Sequence, residues 1–100
     1  MRNRFCVNVL GEHQESICRQ FAAPADDKFT GIQYRASGLG LPILDGVVAW
    51  IDCQLHTVHD AGDHFIAVGL VVSLATEHAA QPLLFHKGAY GQLSRLATAA

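Results

Sequence analysis

VVAWIDCQLHTV–HDAGDH–FIAVGLVVSLA, residues 47–75, is the stretch on which the fold turns. In its first run Val47, Ala49, Ile51, Cys53 and Leu55 take alternate positions, and in its second Ile66, Val68, Leu70, Val72 and Leu74 repeat the pattern. Successive side chains of a strand point to opposite faces, so a period of two puts each set on one face of a sheet. The connection His59–His64 is polar and contains Gly62, which predicts one long antiparallel hairpin, Val47–Val58 with Phe65–Ala75. Gly69, in mid-strand, marks a bend or a close backbone approach.

Upstream of the hairpin, Gly38-Leu39-Gly40-Leu41-Pro42 reads as a loop, and its glycines match neither a dinucleotide nor a phosphate-loop spacing. Phe29 to Tyr34 reads as a short strand, preceded by the polar turn Asp26-Asp27-Lys28. Ile17, Phe21 and Ala22 recur at helical intervals among Glu12, Gln14, Glu15, Arg19 and Gln20, which predicts a short amphipathic helix closed before Pro24. Ahead of Gly11, the run FCVNVL (Phe5–Leu10) is rich in aromatic and β-branched residues and reads as a strand.

Downstream, Pro82 opens a short strand, Leu83–His86, which Gly88 ends. Tyr90, Leu93 and Leu96 then fall at helical spacing and predict a closing helix over Ala89–Leu96. This order of elements predicts a mainly β fold, a small barrel with short helices packed outside it.

One hundred residues allow one domain at most. Half of them are apolar and 16% are charged, the composition of a folded chain and not of a disordered one. A net charge of −2 gives no electrostatic reason to expect nucleic acid or an anionic membrane as partner. The opening apolar run ends at Leu10, too short for a membrane span or a signal peptide, so a soluble, cytoplasmic protein is expected. The three cysteines, Cys6, Cys18 and Cys53, are odd in number and form no CxxC pair; they read as buried or inert thiols, which suits a reducing compartment. His56 and His59 straddle a strand end, and no metal-ligand spacing is found elsewhere, so no metal is expected.

Four segments in this order carry a resemblance to a known family: Phe5-Cys6-Val7-Asn8-Val9-Leu10, the helix end Arg19-Gln20-Phe21-Ala22, the turn Gly62-Asp63-His64, and PLLFHKGAY over Pro82–Tyr90. They resemble the strand, helix, GDH turn and terminal PLLFHxGxY of the flavin reductase-like domain, a family that includes reductase components of two-component flavin-dependent monooxygenases. GDH by itself is common; the four together, across nearly the whole chain, make the match. The resemblance implies an FMN-binding split β-barrel. Residues 1–100 would then be the C-terminal two-thirds of a single such domain, lacking its first strands. It also implies an NAD(P)H-dependent enzyme that reduces FMN or FAD, using NADH or NADPH, and passes reduced flavin to a partner oxygenase. A homodimer with flavin sites near the subunit interface comes with that reading. The cofactors carry such chemistry while the protein binds and orients them, so no side chain is expected to be catalytic.

By the same resemblance His64 belongs beside the nicotinamide, and His86, Lys87 and Gly88 near the pyridine nucleotide, with Tyr90 close by. Ala22, Ala23, Lys28 and Phe29 belong to the flavin's phosphate and ribityl side, with Lys28 as a point charge. Each has a plainer reading. His64 can be an exposed turn residue, His86 and Lys87 a solvated strand end, and Lys28 a surface lysine. Trp50 reads as core or interface packing ahead of flavin stacking. The functional alternatives are a flavoprotein that keeps its flavin, and a truncated or degenerate flavin-binding or dimerising module without activity.

Overall fold

The computed structural model describes residues 3–96. Its strands are β1 (Arg4–Val9), β2 (Tyr34–Ala36), β3 (Pro42–Leu44), β4 (Ala49–Asp60), β5 (Phe65–Thr76), β6 (Leu83–His86) and β7 (Ala89–Gln92). Between β1 and β2 a 3-10 turn, Glu12–Gln14, leads into one helix, α1 (Glu15–Ala22). The hairpin that the alternation predicts is present as β4 and β5, in register from Ala49↔Thr76 at its base to Asp60↔Phe65 at its tip. β1 adds antiparallel to the other edge of β4, from Val9↔Ala49 to Arg4↔Gln54, giving a sheet of order β1-β4-β5. β2–β3 and β6–β7 form two separate antiparallel pairs.

Two register shifts interrupt the long hairpin. Asp52 pairs with Ser73 but Cys53 with Val71, so Val72 is extra; Leu55 pairs with Gly69 but Thr57 with Val68, so His56 is extra. Each added residue turns the following side chains to the other face. The single-face sets of the simple alternation therefore do not hold. Neighbours Asp52 and Cys53 are both buried, at 0% and 5% exposure.

Gly69 is a point of close approach, as its place in mid-strand predicts. A Cβ there would lie 2.6 Å from the Phe5 ring and 2.9 Å from Cβ of Cys53. The Phe5 ring, reaching from β1 across β4, lies too near to admit a side chain there.

The core lies on the opposite side, between β1–β4 and α1. Ile43, Leu44 and Val47 are buried, and Leu10, Ile17, Phe21 and Trp50 pack on them. Burying a side chain the size of Ile43 stabilises by about 1.5–3 kcal/mol. Polar groups fix this layer in place. The Asn8 amide donates to the Pro42 carbonyl at 3.1 Å and accepts from the Leu44 N–H at 2.8 Å. The N–H of Leu39 donates to Asp52 Oδ2 at 3.3 Å. Gln14, also buried, accepts from the Gly11 N–H and donates to the Asp45 carbonyl, both at 2.9 Å. The first of these bonds pins the start of the helical segment, where free N–H groups need partners.

Three expectations need correction. Phe29 to Tyr34 is not a strand. Asp27 Oδ1 accepts from the Phe29 N–H at 2.9 Å, Gly31 takes φ +75°, and the strand begins only at Tyr34. An aspartate that bonds the backbone two residues on makes a turn, and this overrides the local apolar pattern. Pro42, placed in a loop, opens β3, whose partner is Ala36.

The third correction concerns Ala89–Leu96, which is not a helix. Ala89–Gln92 is β7, paired from His86↔Ala89 to Leu83↔Gln92. Lys87 at φ 52° and Gly88 at φ 78° form the two-residue turn that sends one strand back along another. Gly91 also weakens any helix there.

The result is a mainly β split barrel with one short helix, whose sheets remain open among the described residues. No helix there is long and apolar enough to cross a membrane.

Candidate functional site

The hairpin tip is built by its own backbone. The Ala61 N–H donates to the His64 carbonyl at 2.8 Å, Asp60 Oδ1 accepts from the Gly62 N–H at 3.1 Å, and Gly62 takes φ +79°. This is a tight reversal that only glycine enters without strain. It sets His64 at the mouth of β5, with its ring Nδ1 2.7 Å from Asp63 Oδ1. Both side chains are exposed, at 79% and 89%. Occupying Nδ1 leaves Nε2 facing outward for another partner.

The β6–β7 turn presents a second group. His86, Lys87 and Gly88 are exposed, and Lys87 has no ion-pair partner among the described residues. Lys87 is also the one non-glycine with positive φ among them. Asparagine or glycine relaxes that turn position, so a lysine there carries a conformational cost for the charge it presents.

Tyr90 is engaged within the fold. Its hydroxyl donates to Cys18 Sγ at 3.4 Å, the Arg19 guanidinium lies 4.6 Å above its ring, and Phe85 meets it edge-on at 5.0 Å. The bond to Cys18, aided by desolvation, holds the phenol above its usual pKa. Tyr90 thus fastens the β6–β7 hairpin to α1. Sequence reading placed Arg19 on the polar face of the helix and gave Cys18 no role. Their meeting with Tyr90 is a contact between distant segments, for which the local pattern holds no signal.

At the far end of α1 the third group comes together. Ala22 and Ala23 are exposed at the helix terminus, and Lys28 donates its ammonium to the Ala23 carbonyl. Gln20 ties the loop down by donating to the carbonyls of Lys28 at 3.0 Å and Thr30 at 2.8 Å. Phe29 stacks edge-on to Phe21 at 5.1 Å. It lines an open apolar cavity of about 280 Å³ with Cys6, Cys18, Phe21 and Leu44. The Cys6 thiol, beside that cavity, is pushed up to about 11 by burial first and by the Asp52 carboxylate second. It is a poor nucleophile at neutral pH. Asp52 keeps one oxygen, Oδ1, without a partner.

These groups do not converge within one chain. β6 begins at the base of the long hairpin, where Leu83 N–H donates to the Leu10 carbonyl at 2.9 Å and Val9 faces Ala49. From that base the twelve residues of β4 run to the tip, roughly 36 Å at strand rise. β6 has only four residues, about 10 Å of travel. His64 and the His86–Gly88 turn therefore stand apart, and every residue from His56 to Val68 is exposed.

The model of the flavin reductase like domain matches residues 1–94 of this chain. A flavin reductase of Pseudomonas putida is 52% identical over 88 residues, covering 88% of this chain and 52% of its own. The reductase subunit HsaB of a flavin-dependent monooxygenase of Rhodococcus jostii is 52% identical over 86 residues, covering 86% of this chain and 44% of its own. Among solved structures, a nitrilotriacetate monooxygenase component B homologue from Mycobacterium thermoresistibile superimposes with a TM-score of 0.89 at 44% identity, covering 98% of this chain and 57% of that one. The NADH:FAD oxidoreductase of Streptomyces globisporus, in complex with NAD and FAD fragments, gives 0.88 at 30% identity, covering 96% of this chain and 59% of that one. This chain thus spans about half the length of the curated relatives it matches.

Proposed function

This chain belongs to the flavin reductase-like domain family, and from that premise we propose that it takes part in NAD(P)H-dependent reduction of FMN or FAD, with reduced flavin passing to a partner monooxygenase. The observation that carries the reading is the family match over residues 1–94, within which every candidate site residue falls. When bound, the pyridine nucleotide supplies the hydride and the flavin accepts it; the protein's part is to hold the two in order.

The side chains suit that part. Lys87 offers an unpaired cation to the anionic nucleotide, and Gly88 beside it keeps the backbone open to close approach. His64, oriented through Nδ1 by Asp63, presents Nε2 toward the nicotinamide. Phe29 gives a flavin an apolar wall, with Ala22 and Ala23 beside it. Lys28 serves the phosphate less well. Its ammonium already bonds the Ala23 carbonyl, Asp26 and Asp27 flank it, and the helix end there carries negative partial charge. Tyr90, fastened to α1 through Cys18 and Arg19, holds the β6–β7 turn in place close by the nucleotide. The whole chain acts as one part of a single domain, in the cytoplasm.

NADH and NADPH consumption with added FMN or FAD tests the reading, alongside the colour of the purified protein. Nucleotide oxidation that rises with added flavin supports it. Bound flavin without turnover favours a flavin-holding module. Neither bound flavin nor turnover favours a dimerising module without activity, and the open β5 edge, with Leu70 and Leu74 each 61% exposed, is the feature that suits that reading, because such an edge joins other chains.

A further inference from the structure

We infer that Cys18 and Arg19 of α1 are positioning residues for the pyridine nucleotide, acting through a clasp on Tyr90 that holds the Lys87–Gly88 turn in its binding position. The inference rests on the assignment of that turn to the nucleotide. Among the described residues β6 and β7 form a ladder with each other alone, and a two-stranded hairpin is marginal by itself. Backbone bonds tether it at one end. Gly11 bridges Pro82, the Glu12 N–H donates to the Gln81 carbonyl at 2.8 Å, and the Leu83 N–H donates to the Leu10 carbonyl at 2.9 Å. The turn lies at the other end, with Lys87 at φ 52°.

Tyr90 supplies the second point of attachment. It faces Phe85 in the ladder, one pair short of the turn, and its hydroxyl donates to Cys18 Sγ at 3.4 Å. Arg19, the next residue of the helix, covers the ring at 4.6 Å. Its guanidinium is steadied there by Glu15, one helical turn back, whose Oε2 accepts from Arg19 Nε at 2.7 Å. A hairpin tethered only at its base can pivot, and a contact this close to the turn removes that freedom.

The consequence falls on binding. A turn that moves must be ordered when the anionic nucleotide arrives, and affinity drops by the fraction of chains out of position. The clasp raises that fraction beforehand. Its members touch one another within the single chain, so the effect needs no neighbouring molecule. Titration with NADH reads it. Tyr90→Phe keeps the ring and loses the hydroxyl, Cys18→Ala loses the acceptor, and Cys18→Ser returns one. The first two should each weaken NADH about threefold to tenfold, the reach of one hydrogen bond, and Cys18→Ser should recover most of that. Arg19→Gln, which drops the cation, should weaken it about twofold to fivefold. Amide exchange over Ala89–Gln92 should quicken in Tyr90→Phe while β4 and β5 keep their protection.

Lys87→Gln separates positioning from a general loss of packing. In that background Tyr90→Phe and Cys18→Ala should lose most of their effect on NADH, because the clasp works by placing what the turn presents. Effects that add in full to that of Lys87→Gln overturn the inference. So do Tyr90→Phe and Cys18→Ala chains of unchanged affinity where Lys87→Gln weakens binding; the assignment of the turn then stands. Lys87→Gln without effect, or an unsubstituted chain that binds no NADH, overturns that assignment and the inference with it.

Discussion

The inner and outer halves of β4 are one continuous strand in two surroundings. From Ala49 to Gln54 it has β1 on one edge and β5 on the other, with the β2–β3 hairpin fastened over it through Asp52 and Asn8. From His56 to Asp60 it has β5 alone, and both faces meet solvent. The residues differ less than their burial does, since Val58 is as good a strand former as Ile51. Strand propensity thus makes the ribbon, and neighbours decide what is buried. A two-stranded ribbon is marginal by itself; the outer arm persists because the three-stranded base holds its register.

The sharpest way to break this comparison is to strike the base. Ile43, 2% exposed, fills the core above β1 and β4. Ile43→Ala should cost about 2–5 kcal/mol in a denaturant melt. A loss under about 1 kcal/mol would mean that the base is no better packed than the arm.

Gly69 marks where the base ends, with Phe5 and Cys53 closing on it. Gly69→Ala places a methyl group inside contact distance of both and should cost about 1–3 kcal/mol. The partners are a ring in β1 and the Cβ of Cys53 in β4, so the clash cannot be relieved by one flexible side chain. A neutral result would show that β1 lifts freely from the hairpin.

A smaller effect follows from Cys6, whose thiol is pushed up to about 11 from 9.0 by burial and by Asp52. The folded state holds the proton more tightly than the unfolded one. The stabilisation is therefore fully present below about pH 9 and is lost as pH rises toward about 11. Melting temperatures across that interval should fall less steeply in Cys6→Ala than in the unsubstituted chain. Parallel slopes would place Cys6 in ordinary solvent.

Least of all should come from the arm. Phe65→Ser removes an apolar ring that the single chain leaves 74% exposed, so dilute samples should melt within about 0.5 kcal/mol of the parent. Light scattering at higher concentration should show weaker self-association, because an exposed ring of this size is the kind of group that joins contact surfaces.

The chain's own pattern determined the long hairpin, the first strand and the helix. Their signals are local: alternation over 47–75, the apolar run before Gly11, and helical spacing up to Pro24. The four motifs that carry the resemblance were legible for the same reason, and the family match over residues 1–94 agrees with them. Local spacing misled at Ala89–Leu96, where the Lys87–Gly88 turn outweighed apolar residues three apart. The structure alone decided what depends on distant segments meeting. The extra residues Val72 and His56 turned the faces of the hairpin, Tyr90 found Arg19 and Cys18, and His64 was set far from His86. Periodicity reports which side of its own element a residue takes. Which element lies across from it is settled by packing and register, between residues whose separation in the chain leaves no local trace.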